Sequence, residues 1–316
     1  MQAHEVFIGV DVAKDTLVSC TWGESKAQLV ANEERAIKRW LKTLSPRAVI
    51  GMESTGRYHQ DLARLAHRAG LRVYVLNAKD VYFYAKALGA RGKTDPGDAQ
   101  IIARYIAEHH ASLHAWAPGT AAQLRVQELL QRRAHVAVHR ASLRQVLAGM
   151  EELAPAVLQL ERQFEQLLRH IDCEVQALVA SETKLSQASA LLQSISGIGP
   201  QSAAMLAALL NRIEFANADA LVAYSGLDPR PCDSGMRSGR RRLSKRGSPS
   251  LRRQLYLAAL AATRSKALGP TYRAIRAKGF KSTPAVVILA RKLLRIAWAV
   301  WKSGQPFDSA KLQLAA

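Results

Sequence analysis

Short runs of alternating hydrophobic and polar residues open the chain, and longer runs with helical spacing follow. The alternating or compact apolar runs predict strands over residues 5–11, 16–22, 26–31, 47–53 and 71–77, and the helical spacing predicts helices over 34–44 and 56–69. Three hairpin strands followed by strand and helix in alternation predict a mixed sheet with crossover helices. This order is that of an RNase H-like α/β fold.

After Pro118 and Gly119 the pattern is helical. Helices are predicted over 120–150, 156–179, 201–210, 218–225, 250–267 and 284–301, and the tail from 305 is expected to be loosely held. In the second helix the apolar residues are spaced close to a coiled-coil seam: Leu160, Phe164, Leu167, Ile171, Val175 and Leu178. We expect an antiparallel coiled-coil hairpin, which serves either as an intramolecular spacer or as a dimerisation arm.

These patterns predict three domains. An α/β domain spans residues 1–117, the helical hairpin spans 118–190, and a mostly helical domain spans 191–316. No apolar run has the length and freedom from charge of a membrane span, and the first residues do not resemble a signal peptide. The three cysteines are far apart and form no zinc or disulfide pattern, which favours the reducing cytoplasm.

The charge of the chain indicates its partner. With 45 Lys and Arg against 25 Asp and Glu, the formal net charge is +20. Such an excess attracts polyphosphates, so nucleic acid is the leading partner, with a ribosomal or membrane-surface protein as the alternative.

Carboxylates are costly in a chain that must approach phosphate, yet two of them end predicted strands. Asp11 shares a face with Phe7 and Gly9, and Glu53 shares a face with Val49 and Gly51. Both can meet at the carboxyl edge of one sheet. Hard oxygen ligands there predict Mg²⁺, and a site for two ions needs several convergent carboxylates.

Asp95 and Asp98 offer a second pair of carboxylates. Their spacing at a helix start puts both on one face. Helix capping explains the pair equally well, with Asp95 as N-cap, Pro96 at N1 and Asp98 favouring the helix dipole. Together with Asp11 and Glu53, the metal interpretation is the stronger one.

Two further segments suggest phosphate contacts. Gly197 and Gly199 lie between two predicted helices, as in a helix-hairpin-helix turn, although an ordinary turn with a glycine C-cap fits as well. A later stretch without any acid is predicted to bind nucleic acid through Arg237, Arg240, Arg241, Arg242, Lys245, Arg246, Arg252 and Arg253.

Ser234 stands just before that basic stretch, in Asp233-Ser234-Gly235. Most serines in such tripeptides are turn residues. Beside arginines that can neutralise a phosphoryl transition state, this hydroxyl is also a candidate nucleophile on DNA. Tyr58 and Tyr224 are alternative nucleophiles that composition leaves open.

The ordered motifs resemble a known family. They are IGVDVAKDT at 8–16, GMESTGRYH at 51–59, KTDPGDAQIIARY at 93–105, SISGIGPQSAAML at 194–206, YSGLDPRPCDSG at 224–235 and KRGSPSLRRQLYLAAL at 245–260. Together they are similar to the DEDD transposases of bacterial insertion sequences, which are bridge-RNA-guided recombinases. The resemblance extends over essentially the whole chain.

The resemblance implies a RuvC-like N-terminal domain, a coiled coil and a C-terminal transposase domain. Its acidic tetrad falls on Asp11, Glu53, Asp95 and Asp98, and its catalytic serine falls on Ser234. It implies Mg²⁺ as cofactor, target and donor DNA and a structured noncoding RNA as partners, and a dimer or tetramer in which tetrad and serine meet across subunits. Two other functions stay open: a RuvC-like endonuclease that uses water, and a non-catalytic nucleic-acid scaffold.

Overall fold

The computed structural model describes residues 5–56, 58–89, 92, 94–230, 239 and 241–315. Its contacts group the chain into two compact units, Met1–Pro118 and Gly119–Ala316. The described residues contain one five-stranded sheet, one two-stranded sheet and twelve α-helices. In this part of the chain no helix is both long and apolar enough to cross a membrane.

The first unit is a mixed sheet with helices on both faces. Its elements are β1 Val6–Val12, β2 Thr16–Thr21, β3 Ala27–Ala31, α1 Glu34–Leu41, β4 Ala48–Glu53, α2 Gln60–Arg68, β5 Arg72–Leu76, α3 Ala78–Ala87 and α4 Asp95–His109. The strand order is β3-β2-β1-β4-β5. The pairs β3-β2 and β2-β1 are antiparallel, and β1-β4 and β4-β5 are parallel. This order is consistent with the expected RNase H-like domain.

Side-chain alternation gives each face of the sheet its own core. One face packs Ile8, Val10, Ile50 and Met52 with apolar residues of α1 and α2. The opposite face packs Val49, Tyr74, Ile102 and Ile106 together with Phe7. Because Asp11 and Glu53 have the same parity as Phe7 and Val49, both lie on the face covered by α4.

One predicted helix begins later than its pattern suggested. The apolar spacing predicts a start at Gly56, whereas α2 begins at Gln60. Gly56 has a φ of +48°, in the left-handed region, so the backbone turns there before the helix can start. Residues between Glu53 and α2 therefore form a loop at the carboxyl end of β4.

The second unit is almost entirely helical. Its elements are α5 Ala121–Val146, α6 Ala154–Ala180, α7 Thr183–Gln193, α8 Pro200–Leu210, α9 Ala218–Ser225, β6 Pro229–Arg230, β7 Arg242–Leu243, α10 Pro249–Ala262, α11 Gly269–Ala277 and α12 Ser282–Ser303. One core cluster joins residues of α5 and α6 to residues of α7 through α12. It is continuous across residue 190, and the three-domain division stays a prediction.

α5 and α6 form an antiparallel hairpin that ion pairs hold in register. Arg133 contacts both carboxylate oxygens of Asp172 at 2.6 and 2.9 Å, and Arg140 contacts Glu161 at 2.8 Å and Glu165 at 2.7 Å. The buried residues of α6 are Leu168, Ile171, Val175 and Val179, so Ile171 and Val175 of the predicted seam are buried, whereas Leu167 is 46% exposed. Because Leu167 and Leu168 are adjacent, the apolar spacing did not determine which of the two is buried. The coiled coil stays a prediction.

The tail is held more firmly than its composition suggests. The backbone nitrogen of Phe307 donates to Ser194 Oγ at 2.8 Å. Phe307 and Leu312 pack against the core of the second unit. The expectation of a loosely held tail was wrong at these residues, because two isolated apolar side chains suffice to anchor it.

Candidate active site

Register aligns two of the predicted carboxylates. Gly9 pairs with Gly51 and Val10 pairs with Met52 along the parallel strands β1 and β4. Continuing this register by one residue sets Asp11 opposite Glu53. Because strand side chains alternate, both project from the face that α4 covers, at the carboxyl ends of their strands.

α4 approaches this face unusually closely because two glycines lie beneath it. A Cβ on Gly9 would lie 2.1 Å from the carbonyl oxygen of Ala99, and a Cβ on Gly51 would lie 2.6 Å from Cγ2 of Ile106. At the other end, the rings of Phe7 and His110 are 4.8 Å apart. α4 therefore runs antiparallel to β1, and its first turn lies at the edge where Asp11 stands.

That first turn contains Asp95 and Asp98. The N-cap of α4 is Thr94, whose Oγ1 accepts a hydrogen bond from the Gly97 nitrogen at 3.3 Å. Asp95 is thus the first helical residue, and its prediction as N-cap was wrong because the threonine before it takes that position. Asp95 is exposed and Asp98 is half-buried.

The donor set fits a divalent metal in kind. Carboxylate oxygens are the ligands that Mg²⁺ prefers, and all four carboxylates belong to one edge of the unit. Within the described ranges, no three His, Cys, Asp or Glu side chains converge tightly enough to hold an ion. Asp11, Glu53 and Asp98 each make a polar or electrostatic interaction in this structure.

The loop after Glu53 contains a group that the sequence did not single out. Burial lowers the pKa of His59 from its usual value. Its Nδ1 and the hydroxyl of Thr55 are buried, and neither has a hydrogen-bond partner in the part of the chain described. A histidine before an apolar helix gives no pattern that marks it, so only the fold indicates its place beside the carboxylate edge.

Asn32 joins two loops at this same edge. Its Nδ2 donates to the carbonyl oxygen of Ala13 at 2.9 Å and to that of Tyr58 at 3.3 Å. Ala13 follows β1 and Tyr58 follows β4, so one amide links the loops beyond Asp11 and Glu53. Sequence reasoning missed this residue because its partners are backbone atoms distant in the chain.

Ser234, Arg237 and Arg240 lie outside the described residues, but both ends of their segment are described. β6 and β7 pair antiparallel, with Arg230 opposite Arg242. The backbone nitrogen of Ser244 donates to the Asp228 carbonyl oxygen at 3.0 Å, and that of Lys245 donates to the Gly226 carbonyl oxygen at 3.1 Å. These bonds join residues 226–230 to residues 242–245, and we call these two joined backbones the hairpin base.

Two glycines pack closely against the opposite backbone at this base. A Cβ on Gly226 would lie 2.7 Å from the Gly247 nitrogen, and a Cβ on Gly247 would lie 2.1 Å from the Tyr224 carbonyl oxygen. Arg252 ties the same backbones together, since its Nη1 donates to the carbonyl oxygens of Ser225 and Gly247. The two backbones of the hairpin base are thus tightly packed against each other.

The other described basic residues of this stretch differ from Arg252 in their exposure. Arg252 is half-buried, and burial lowers the pKa of its guanidinium. Within the described part of the stretch, the exposed cations are Arg241, Arg242, Lys245, Arg246 and Arg253. Lys245 has a φ of +53°, which is strained for a residue with a side chain and fixes the direction of the turn. These exposed cations can reach phosphate.

The two glycines of the predicted helix-hairpin-helix have different environments. A Cβ on Gly197, whose φ is +96°, would lie 2.6 Å from the Ala258 carbonyl oxygen, so helix packing requires this glycine. A Cβ on Gly199 would meet nothing within 4 Å. Gly199 is the N-cap of α8 and lines a groove with Gln201 and Arg253. A phosphate contact at Gly199 stays a prediction.

Comparisons with known proteins identify the family of the chain. A model of the DEDD transposases of the IS110 group, described as a transposase, matches residues 8–155, and a model described as the transposase IS116/IS110/IS902 family matches residues 189–274. A pilin gene-inverting protein of Moraxella bovis is 28% identical over 324 aligned positions, covering 96% of this chain and 98% of the relative. An uncharacterised 42 kDa protein of insertion element IS900 from Mycobacterium paratuberculosis is 29% identical over 174 positions, covering 54% of this chain and 43% of that protein.

The two matched segments define a DNA transposase of the DEDD class, and the sheet order is consistent with it. The chain belongs to the IS110/IS116/IS902 family of transposases. It is therefore an enzyme that recombines DNA.

Proposed function

We propose that this transposase is an Mg²⁺-dependent, RNA-guided recombinase that cuts and rejoins DNA through a phosphoserine intermediate. The observation that carries the proposal is the register that sets Asp11 opposite Glu53, beneath the helix whose first turn contains Asp95 and Asp98. Four carboxylates at one edge stand out in a chain with a net charge of +20. Their charge is useful where a divalent cation compensates it.

The four carboxylates would hold the metal, which would polarise the scissile phosphate when bound. Without a cation they repel one another and repel DNA. Asn32 links the two loops at this edge and limits how far they can separate. Asp98, half-buried in the first turn of α4, is held in place by the close approach of Ala99 and Ala103 to Gly9.

Ser234 would supply the nucleophile. Its Oγ attacks the phosphorus, one ester bond of the DNA breaks, and the released DNA hydroxyl takes up the proton. A phosphoserine ester keeps the energy of the phosphodiester, so attack by another DNA hydroxyl can rejoin the strand and regenerate Ser234 without ATP. The arginines beside the loop would neutralise charge that develops on the phosphate.

Guidance by RNA rests on the family resemblance and on the charge of the chain. A noncoding RNA that pairs with target and donor DNA would account for sequence choice, and the exposed cations from Arg241 to Arg253 would contact its backbone or that of DNA. Because carboxylates and serine belong to different parts of the chain, we propose a dimer or tetramer in which they meet. The α5–α6 hairpin is the candidate contact between subunits.

A second candidate function is inversion of a DNA segment in place. The observation that favours it is the similarity to the pilin gene-inverting protein of Moraxella bovis, which extends over 96% of this chain. Inversion, excision and insertion use the same cutting and rejoining chemistry: inversion acts on two inverted sites of one molecule, excision on two direct sites, and insertion on sites of two molecules. Substrates that contain sites in direct and in inverted orientation would separate the two by product size.

The test is a recombination reaction with the protein, Mg²⁺, DNA carrying the junctions of the element, and the noncoding RNA flanking the gene. We expect joined products and a covalent protein–DNA adduct that Ser234→Ala abolishes. Free DNA ends without an adduct would support a RuvC-like endonuclease instead. Binding without any Mg²⁺-dependent product would support a non-catalytic scaffold.

A further inference from the structure

α3 exposes two large aromatic rings that the core does not use. Tyr82 and Phe83 are each 53% exposed, and their ring centroids are 5.4 Å apart at an angle of 70°. Large rings are costly to leave in water, and two adjacent ones form an apolar surface that fits a flat partner.

Two lysines flank the rings along one stripe of the helix. Lys79, Tyr82, Phe83 and Lys86 follow the spacing i, i+3, i+4, i+7, and all four are exposed. We call them the α3 stripe. Lys86 Nζ lies 4.9 Å from the centroid of the Tyr82 ring. Among the described residues, no carboxylate forms a salt bridge with either lysine, so both charges face solvent beside the rings.

The other side of α3 is sufficient to hold the helix on the sheet. Val81 is buried in the cluster formed with Leu76 and Ile102. Tyr84 packs edge-on against Tyr105 at 5.0 Å and donates a hydrogen bond to Glu108. Fixing α3 therefore does not require the rings of Tyr82 and Phe83, which are available to a ligand.

The position of α3 relates the stripe to the carboxylate edge. α3 begins at Ala78, two residues after Leu76, and Leu76 pairs with Glu53 across β5 and β4. The helix thus starts at the same edge of the sheet as the carboxylates. A strand of DNA held at that edge would pass the start of α3.

We propose that the α3 stripe stacks unpaired nucleotides of the DNA strand held at the carboxylate edge, with Lys79 and Lys86 on the flanking phosphates. This inference rests on the proposed function, in which that edge acts on DNA. Exposed aromatics beside cations bind single strands because every base offers a flat face, whereas bases within a duplex are already stacked. Lysine is depleted in protein–protein interfaces, so the two lysines that flank the rings favour nucleic acid over a protein partner.

The experiment uses the full chain, Ca²⁺ in place of Mg²⁺ to prevent cleavage while a divalent cation is kept at the carboxylates, and a single-stranded DNA that contains one 2-aminopurine, whose fluorescence falls when the base stacks. We expect wild type to quench this fluorescence. Tyr82→Leu combined with Phe83→Leu should abolish the quench and weaken single-strand binding by roughly 10-fold or more. Tyr82→Phe keeps the ring and should retain the quench.

Two further variants serve as controls. Leu29→Ala removes an apolar side chain that is 70% exposed on β3 of the same unit, and should leave quench and affinity within about 2-fold of wild type. Lys86→Gln changes only an exposed charge. It should reduce the slope of log affinity against log salt by about 0.7, as expected for one lost phosphate contact with a single strand.

Three results would overturn the proposal: an unchanged quench in the double variant, an equal loss of affinity for fully paired DNA, or a loss for single-stranded RNA alone. A change in oligomeric state by light scattering, with DNA binding unchanged, would assign the stripe to a protein contact and also overturn it. The serine adduct is measured separately. An adduct without quench refutes only the stripe, and a quench without adduct refutes only the phosphoserine chemistry.

Discussion

Gly9 of β1 lies so close to Ala103 of α4 that a Cβ on residue 9 would be 2.3 Å from the Ala103 backbone nitrogen. Strand and helix backbones are in direct contact at this point. The same Cβ would be 2.1 Å from the carbonyl oxygen of Ala99, the residue after Asp98, so this contact limits how far Asp98 on the helix can lie from the strand that contains Asp11. A hydrogen atom in place of a side chain thus helps to define the candidate active site.

Gly9→Ala should therefore damage both stability and recombination. The clash is with backbone atoms that cannot rotate away, so we expect a loss of about 1–3 kcal/mol in the free energy of unfolding, measured by urea titration. Gly51→Ala should cost less, because its nearest neighbour is the side chain of Ile106. Gly92→Ala meets nothing within 4 Å and is the matched control. Equal stability of the Gly9 and Gly92 variants would contradict the close-contact account.

Neutralising the carboxylates should remove metal binding without destabilising the fold. Asp11→Asn and Glu53→Gln remove negative charge from an edge where like charges repel one another, so without metal we expect an unchanged or higher melting temperature. Strand exchange should fall by roughly 100-fold or more, and Mg²⁺ should no longer raise the melting temperature. Asp61→Asn, which removes a carboxylate paired with Arg64 on the exposed face of α2, is the control. Recombination that persists in the Asp11 variant would exclude a metal role for that residue.

Adjacent arginines on α10 should respond differently to the same substitution. Arg252 donates to the carbonyl oxygens of Ser225 and Gly247, and lysine cannot make both bonds from one planar group. Arg252→Lys should reduce adduct formation at Ser234 by roughly 10-fold while nucleic-acid affinity stays within about 2-fold. Arg253→Lys keeps an exposed positive charge and should leave adduct formation unchanged. Identical behaviour of the two variants would contradict the positioning role of Arg252.

His59 should make the first unit sensitive to mild acid. Burial holds its folded pKa below the ordinary value of 6.5. The unfolded chain then binds the proton first as pH falls, so stability is full above about pH 6.5 and declines as pH falls toward the folded pKa. The measurement is an NMR titration of the His59 ring together with urea unfolding between pH 7.5 and 5. His59→Asn should flatten that pH dependence, and a ring midpoint at or above 6.5 would contradict it.

The sequence predicted the parts of the fold that depend on local periodicity. Strands β1 and β4 and the carboxylates near their ends follow from alternation within a few residues, and the order of strands and helices predicted a mixed sheet with crossover helices. Periodicity did not determine the start of α2, because the left-handed turn at Gly56 is a backbone property. It also did not identify Thr94 as the cap of α4, since Thr94 and Asp95 are both good N-cap residues and only geometry distinguishes them.

The parts of the site that the sequence missed depend on contacts distant in the chain. Asn32 acts through the carbonyls of Ala13 and Tyr58, and Arg252 acts through those of Ser225 and Gly247. Every residue has a backbone carbonyl oxygen, so no sequence motif marks such pairs. Gly197 resembled a phosphate-binding turn, yet its close neighbour is the α10 backbone at Ala258. Distinguishing a packing glycine from a binding glycine required the fold.

The most direct test of the account is peptide mass spectrometry of the protein–DNA adduct. A recombination reaction with Mg²⁺, RNA and junction DNA is stopped, digested with nuclease and protease, and searched for nucleotide-modified peptides. We predict a nucleotide attached to Ser234, absent from the Ser234→Ala variant and from reactions with Asp11→Asn. Modification of Tyr58 or Tyr224 instead, or joined products without any adduct, would contradict the account.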